Sequence, residues 1–483
     1  MSEQQLKVDV AVIGAGTAGL VAHRQARVNG AERVVLIEGG PYGTTCARVG
    51  CMPSKLLIAA AEAAEAVRSA EQFGVKPGPL EIDGAAVMAR VQRERDRFVE
   101  FVVESTQRLD PAQRLRGWAR FVGPTTLEVQ ADDRQPVRVD AKAVVIAAGT
   151  TPWVPPSLRG LGDRLLTSDS VFDLPRLPKS LAVVGAGVIG LELGQAMHRL
   201  GVETSILSID ERMPLVSSAV MQDQARELFT ARLDLQLGIS ELQAQRRDDS
   251  VVVSWNDASG RAREGTFEYV LAATGRRASY DRLELQHAGI ELDDRGAPKF
   301  WDERTTQVGD APIFLAGDVI GDRQVLHEAA GEGRIAGINA ARYPEVRAHP
   351  RQVPIAIMFS DPNVAIVGEI PDPDSEGCEW EVGEVDYADQ GRARVIGQNH
   401  GRVRIYARRC GELIGAELIG PQAEHMAHLL AWSIEQGMTV TQARAMPYYH
   451  PTVEEGLRTA IQALGRKLKM VSKQGPLDCG PGT

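Results

Sequence analysis

Cys46 and Cys51 lie five positions apart in the stretch GTTCARVGCMPSK, and the 483-residue chain has only five cysteines. Two thiols so close in a cysteine-poor chain admit three readings: a redox pair, half of a metal site, or small buried side chains. A metal site needs three or four ligands, and no other Cys or His falls near this segment in sequence. Plain burial suits Cys378 and Cys410, each isolated in a strand-like run, better than two residues sharing one segment. A disulfide meets a geometric condition: positions i and i+5 of an ideal helix are about 8.7 Å apart, beyond the roughly 7 Å that the bond tolerates between Cα atoms. If the two bond, the helix must break between them, and Gly50 supplies the freedom to do so. Pro53 then suits the start of a regular helix over SKLLIAAAEAAEAVRSA, which places Cys51 by a helix start, where a thiolate is favoured.

A second chemistry is written twice. VDVAVIGAGTAGLVAHRQARVNGAERVVLIEGG runs an apolar strand into a glycine turn, a helix and a second strand ending in Glu38, and SLAVVGAGVIGLELGQAMHRLGVETSILSIDER repeats the design. Gly14 allows the tight turn, Gly16 lets the backbone approach a pyrophosphate, and Gly19 lets the helix pack close to the strand; Gly185, Gly187 and Gly190 match them in the second copy. A lone GxGxxG is a weak signal, but each copy here sits between a strand pattern and a helix pattern. Two dinucleotide sites are therefore expected. Glu38 stands where a carboxylate accepts hydrogen bonds from a ribose hydroxyl. In the second copy Ser208 and Ile209 occupy the strand end, followed by Asp210, Glu211 and Arg212, so the choice between NAD and NADP stays open.

These residues need elements to hold them. VVIAAGTTP and YVLAATGRRA each carry a buried strand into a glycine turn, at Gly149 and Gly275, as expected where the chain crosses between domains. IFLAGDVIG delivers Asp318 at a strand's carboxyl end, the usual ligand edge of an open α/β sheet. From about residue 350 the texture changes to antiparallel strands followed by helices at 421–437 and 452–469, an α+β arrangement. The predicted fold is α/β, with two Rossmann-like dinucleotide-binding domains and a separate C-terminal α+β domain. The expected divisions are 1–150 and 276–348 for one dinucleotide domain, 151–275 for the other, 349–470 for the C-terminal domain and 471–483 for a tail.

Net charge is −10, with no basic patch, which argues against nucleic acid. No run approaches the roughly 20 apolar residues of a membrane span, and the N-terminus lacks the layout of a signal peptide, so a cytoplasmic protein without a membrane partner is expected.

Taken together, the two dinucleotide units, the CxxxxC segment VGCMPSK, a strand ending GD and the C-terminal HPTVEE resemble the flavoprotein disulfide reductases over residues 6 to about 465. The resemblance implies FAD on the first unit through Gly14, Gly16, Gly19 and Glu38, with Asp318 beside it and the helix starting near Leu326 and His327 aimed at the flavin. It implies NAD, or NADP, on the second. Lys55 would lie near the flavin and pair with Glu192. Cys46 and Cys51 would form the redox disulfide, Cys51 facing the flavin and Cys46 exchanging with substrate. His450 would be the base and Glu455 its orienting carboxylate, reaching the cysteines of a second subunit, so that a homodimer completes the site. No resident metal is implied.

Among family members the dihydrolipoamide dehydrogenases fit best, which implies a dithiol such as a lipoyl group, small or protein-bound. The alternatives are an NAD(P)H-dependent reductase of another disulfide or of a metal ion, and a non-catalytic redox-sensing flavoprotein. Tyr448 and Tyr449, before His450, stand where dihydrolipoamide dehydrogenases usually have His and a small residue and bear on the substrate channel, as does TTCARVG in place of GTCLNVG. Cys479 in the tail is a conceivable electron relay.

Overall fold

Four parallel strands end together at one edge of a sheet. In the computed structural model, which describes residues 4–130, 135–372 and 379–470, β1 (Gln4–Ile13) pairs in parallel with β2 (Val34–Glu38) and with Val137–Ile146. The Ile313–Leu315 strand adds a further parallel pairing. The register sets Ile13 opposite Ile37 and Ile146, and Ile146 opposite Leu315. Gly14, Glu38, Gly149 and the Gly317–Asp318 turn therefore all leave the same edge. Arg114–Arg116 extends the sheet beyond β2, and Thr126–Gln130 with Trp118–Phe121 extend the other side in antiparallel fashion.

Both faces of β1 are apolar, as a strand covered on both sides requires. Ala11 and Ile13 join one core cluster, and Val10 and Val12 join the other, together with Ala18, Ala22 and Ala26 of α1 (Thr17–Val28). Small residues let α1 sit close to the helix Leu326–Arg342: a Cβ on Gly333 or Gly337 would come 2.4 Å from the carbonyl oxygen of Ala18 or Ala22. These elements belong to a unit built from the chain up to Leu56, Ala89–Trp153 and Gly275–Gln352.

The other unit takes Leu57–Met88, Val154–Thr274 and the chain from Val353 onward. It holds the second Rossmann-like sheet, five parallel strands in the order Asp234–Leu237, Glu203–Ser208, Ser180–Val184, Tyr269–Ala272, Leu165–Thr167, with the helix Val188–Arg199 after its glycine turn. It also holds the C-terminal antiparallel sheet, ordered Ile355–Met358, Asn363–Gly368, Leu413–Gly420, Arg402–Arg408, Trp380–Asp386. Helices Ala423–Glu435 and Glu455–Lys467 close that sheet through Met426, Leu430, Leu457 and Leu464. Within this unit the buried Glu417 carboxylate ties the two sheets' surroundings together. It accepts from the Ser217 amide (2.5 Å), the Ser218 amide (3.1 Å) and hydroxyl (2.7 Å), and the Tyr406 hydroxyl (2.6 Å).

Cys410 corrects an expectation. It was read as a buried strand residue, but it sits exposed in the turn that joins Arg402–Arg408 to Leu413–Gly420, where no sheet face covers it. Cys378, Cys479 and the tail lie outside the described residues. No helix among the described residues is long and apolar enough to cross a membrane.

Candidate active site

The break at Gly50 is real, and it joins two helices. α2 (Thr45–Val49) stops at Gly50, whose φ of −123° and ψ of −116° are not helical, and α3 (Cys51–Ser69) starts on the next residue. The chain turns so tightly that a Cβ on Gly50 would lie 3.0 Å from the Thr45 carbonyl oxygen and 3.2 Å from the Cys46 Cα. Thr44 caps α2 by accepting from the Ala47 amide at 3.3 Å, at a φ of +56° that L-residues rarely adopt; such strain costs about 1–3 kcal/mol and clusters at functional segments. The helix begins two residues before the Pro53 start read from sequence, so Cys51 itself opens it, where unsatisfied amides favour negative charge.

The two thiols meet across this break. Cys46, half-buried, has its thiol pushed far above the ordinary thiol range, chiefly by its hydrogen bond with Cys51, then by burial and by charge on Cys51. Lys55, one turn into α3, pulls the other way. One proton is thus retained on Cys46 while Cys51 is the sulfur placed to carry charge.

The first glycine cradle has the shape a pyrophosphate requires. A Cβ on Gly14 would meet the Ala147 carbonyl oxygen at 2.2 Å, and one on Gly19 would meet the Gly14 carbonyl oxygen at 1.8 Å. A Cβ on Gly16, the N-cap of α1, would meet no atom within 4 Å. Gly14 and Gly19 are thus required by the protein's own packing, and Gly16 borders open space. Glu38 braces the turn, its two oxygens accepting from the Ala15 and Gly40 amides at 2.7 Å each. Asp318 is pushed above the usual carboxylate range by burial, with the Arg276 charge opposing. Leu326 opens the helix expected to face the flavin, with His327 exposed beside it. FAD, whose residues these would be, fits the cradle.

This contrast gives a prediction. Gly16→Val is expected to fold normally and to hold FAD at least tenfold more weakly, about 1.4 kcal/mol. Gly19→Ala, by contrast, is expected to lower the melting temperature. Visible absorbance of the purified variants and their melting curves check the pair. A Gly16→Val protein that keeps its full flavin complement removes this cradle as the phosphate site.

The second cradle repeats the geometry. A Cβ on Gly185 would meet the Ala273 carbonyl oxygen at 2.4 Å and one on Gly190 the Gly185 carbonyl oxygen at 1.9 Å, while Gly187 again borders open space. At the neighbouring strand end the Ser208 hydroxyl accepts from the Asp210 amide (3.2 Å), Asp210 accepts from the Arg212 amide (2.9 Å), and Ile209 is exposed. Glu192 is buried in Val188–Arg199 and accepts from the Phe359 amide at 2.8 Å.

His450 and Glu455 meet as read from sequence. Imidazole Nδ1 lies 3.2 and 3.1 Å from the two carboxylate oxygens, and Glu455, the first residue of its helix, also accepts from the Thr452 amide at 3.1 Å. Glu455 is buried and His450 exposed, which leaves the ring held from behind and presented outward. The tyrosines before it diverge. Tyr448 turns into the C-terminal core and donates to the Ala443 carbonyl at 3.2 Å, its hydroxyl pushed up to about 12 by burial, whereas Tyr449 is 83% exposed.

Several supporting residues escaped the sequence reading. Arg276 holds the strand pair beyond Gly149 and Gly275 by donating to the Thr150 hydroxyl and carbonyl, each at 2.9 Å. Glu332 accepts from the Gly317 amide at 2.8 Å, beneath the Asp318 turn. Neither carries a motif; a charged residue beside Gly333 on a helix that packs through glycine was the available signal for Glu332.

The model of the pyridine nucleotide-disulphide oxidoreductases matches residues 8–333, and that of their dimerisation domain matches residues 354–461. The chain belongs to this family. Similar over nearly its whole length are dihydrolipoyl dehydrogenase of Geobacillus stearothermophilus, 30% identical over 97% of this chain and 98% of the relative, and dihydrolipoyl dehydrogenase 3 of Pseudomonas aeruginosa, 31% identical over 95% and 99%. Among solved structures, LpdA of Mycobacterium tuberculosis aligns at a TM-score of 0.80 and 25% identity, over 94% of this chain and 99% of that one. The HOCl-induced flavoprotein disulfide reductase RclA of Escherichia coli, at 21% identity and a TM-score of 0.78, shares the fold. As a pyridine nucleotide-disulphide oxidoreductase the enzyme uses FAD and NAD, and its C-terminal domain is a dimerisation domain.

Proposed function

We propose that this oxidoreductase is a dihydrolipoyl dehydrogenase, oxidising a dihydrolipoyl dithiol to the cyclic disulfide with NAD as electron acceptor. The observation that carries this reading is the hydrogen-bonded Cys46–Cys51 pair at a helix break, in a chain similar end to end to dihydrolipoyl dehydrogenases. In the oxidised enzyme the two cysteines form a disulfide. One substrate sulfur, deprotonated, attacks Cys46; the Cys46–Cys51 bond breaks and Cys51 departs as a thiolate at the start of α3. The second substrate sulfur then displaces Cys46 and closes the lipoyl ring, leaving two reduced cysteines.

His450 accepts the protons released, with Glu455 holding its Nδ1 side so that Nε2 does the work. Because His450 belongs to the dimerisation domain and is exposed in one chain, a homodimer supplies it to the partner's cysteines. FAD, when bound, would supply the two-electron redox chemistry that links the reduced cysteine pair to NAD. Gly14, Gly16, Gly19, Glu38 and Asp318 would hold FAD, with Gly149, Leu326 and His327 along the same edge and Lys55 beside the ring. Gly185, Gly187, Gly190 and Gly275 would border NAD.

Tyr449 favours a second reading, the same exchange run backwards on another disulfide, because a large exposed ring beside the base reshapes the approach to it. The deciding assay offers dihydrolipoamide with NAD or NADP, and separately oxidised glutathione, coenzyme A disulfide or mercuric ion with NADH or NADPH. The highest kcat/KM is expected for dihydrolipoamide with NAD. No NADH formed from dihydrolipoamide, alongside brisk reduction of another panel member, overturns the assignment in favour of that acceptor.

A further inference from the structure

Below the Gly317–Asp318 turn lies a cluster of charges that the reaction above does not use. Arg351 Nη2 donates to Glu328 at 2.9 Å and to Glu332 at 2.8 Å, with side-chain exposures of only 10%, 6% and 3% for the three residues. The other carboxylate oxygen of Glu332 accepts from the Gly317 amide, and Arg323 donates to Glu328 at 3.2 Å. Asp322 and Glu303 complete the surroundings, 3.5 and 3.8 Å from Arg351 Nη1 and more exposed.

Glu328 and Glu332 stand in the first two turns of the helix Leu326–Arg342. Carboxylates there cancel the positive end of the helix dipole, and buried ones do so with little screening. Burial has already pushed Glu332 up to about 7, against the opposing pull of the Gly317 amide and Arg351, with Glu328 and Asp322 adding to the rise. Arg351, its side chain 10% exposed against 35% for Arg323, is thus the less exposed of the two cations that meet these carboxylates, and it is held charged by them: burial acts against its proton, but the hydrogen bond to Glu328 and the charges of Glu332, Glu328 and Asp322 outweigh it.

We propose that Arg351 is a positioning residue for flavin reduction: by neutralising Glu328 and Glu332 it keeps the helix start electropositive and the Asp318 turn in place, and so sets how readily bound FAD takes an electron pair. This rests on the reading that the start of that helix faces the flavin. Loss of Arg351 would leave net negative charge at the helix start and oppose charge on the reduced ring; loss of Glu328 would act in the opposite sense.

The test is a redox titration of the full-length holoenzyme with dithionite as electron donor against a reference dye, without NAD or dithiol. The flavin bleaching that follows uptake of the first electron pair by the Cys46–Cys51 disulfide is read. Arg351→Gln is expected to lower the ratio of reduced to oxidised flavin at a fixed poise about tenfold, about 30 mV for a two-electron couple. Glu328→Gln is expected to raise it by a similar factor, and the double variant to return within about threefold of wild type. If Arg351→Gln does not retain FAD, Glu328→Gln and the double variant carry the test. A ratio unchanged in Glu328→Gln, or a shift that persists undiminished in the double variant, overturns the proposal. Because no dithiol or NAD enters the measurement, failure of the dihydrolipoyl reading leaves this result untouched, and the reverse holds too.

Discussion

Cys46→Ser is expected to reduce dihydrolipoamide oxidation by about four orders of magnitude or more, while NADH still bleaches the bound flavin. The loss follows from the chemistry of exchange. Serine matches cysteine in shape, so the α2–Gly50–α3 turn and the cap by Thr44 should persist, but no disulfide remains for a substrate sulfur to attack. The two halves of the reaction separate cleanly. The nucleotide cradles do not include Cys46, so transfer between NADH and flavin, and from flavin to a small dye, should stay within about threefold of wild type. Cys51→Ser removes the same disulfide and should lose the dithiol reaction to the same extent. It also relieves Cys46 of its thiol partner, so Cys46 should react with an alkylating agent at lower pH than it does in the reduced wild-type enzyme, where the Cys51 contact holds its proton. Appreciable dithiol turnover in purified Cys46→Ser would mean that electrons enter by another route, and the proposed exchange would fall.

What could be read from the sequence, and what could not, divides by the range of the interactions. The glycine cradles were legible because each role is local: Gly19 must clear the Gly14 carbonyl five residues away, and the strand and helix on either side announce themselves by their periodicity. The helix break at Gly50 followed from covalent reach once the two cysteines were taken to bond. His450 and Glu455 were legible for a similar reason, since five residues and a proline bring them together at one helix entrance. The Arg351 cluster joins residues from four stretches between Glu303 and Arg351, and in the helix LHEAAGEGRIAG its two glutamates read as ordinary solvated charges. Their burial comes from packing with residues distant in sequence, which the helix's own pattern does not report. The tyrosines show the same limit at short range. Adjacent residues in an irregular segment carry no periodicity, so nothing local says that Tyr448 joins the core while Tyr449 faces outward.

His450→Gln is expected to lower kcat/KM for dihydrolipoamide by about 10²–10⁴-fold, the range for loss of a positioned general base, with little change in NADH-driven dye reduction. Glutamine can still meet Glu455, so the helix entrance should hold, and the thermal midpoint should move by no more than a few degrees. The pH profile distinguishes lost proton transfer from lost shape. The proton at issue belongs to the substrate dithiol, because Cys46 is held in the disulfide when attack begins, and a free thiol ionises unaided only as pH rises through about 8.5. In wild type His450 takes that proton, so the rate does not depend on hydroxide and should level off. In His450→Gln only water and hydroxide remain, and the residual rate should keep climbing with pH past the point where the wild-type rate is flat. Glu455→Gln keeps the base but replaces the carboxylate that holds its Nδ1 side with a neutral amide, which orients the ring less firmly. A smaller loss, about tenfold, is expected there. Parallel profiles for wild type and His450→Gln, differing only in height, would assign His450 to substrate binding and leave the proton with another group.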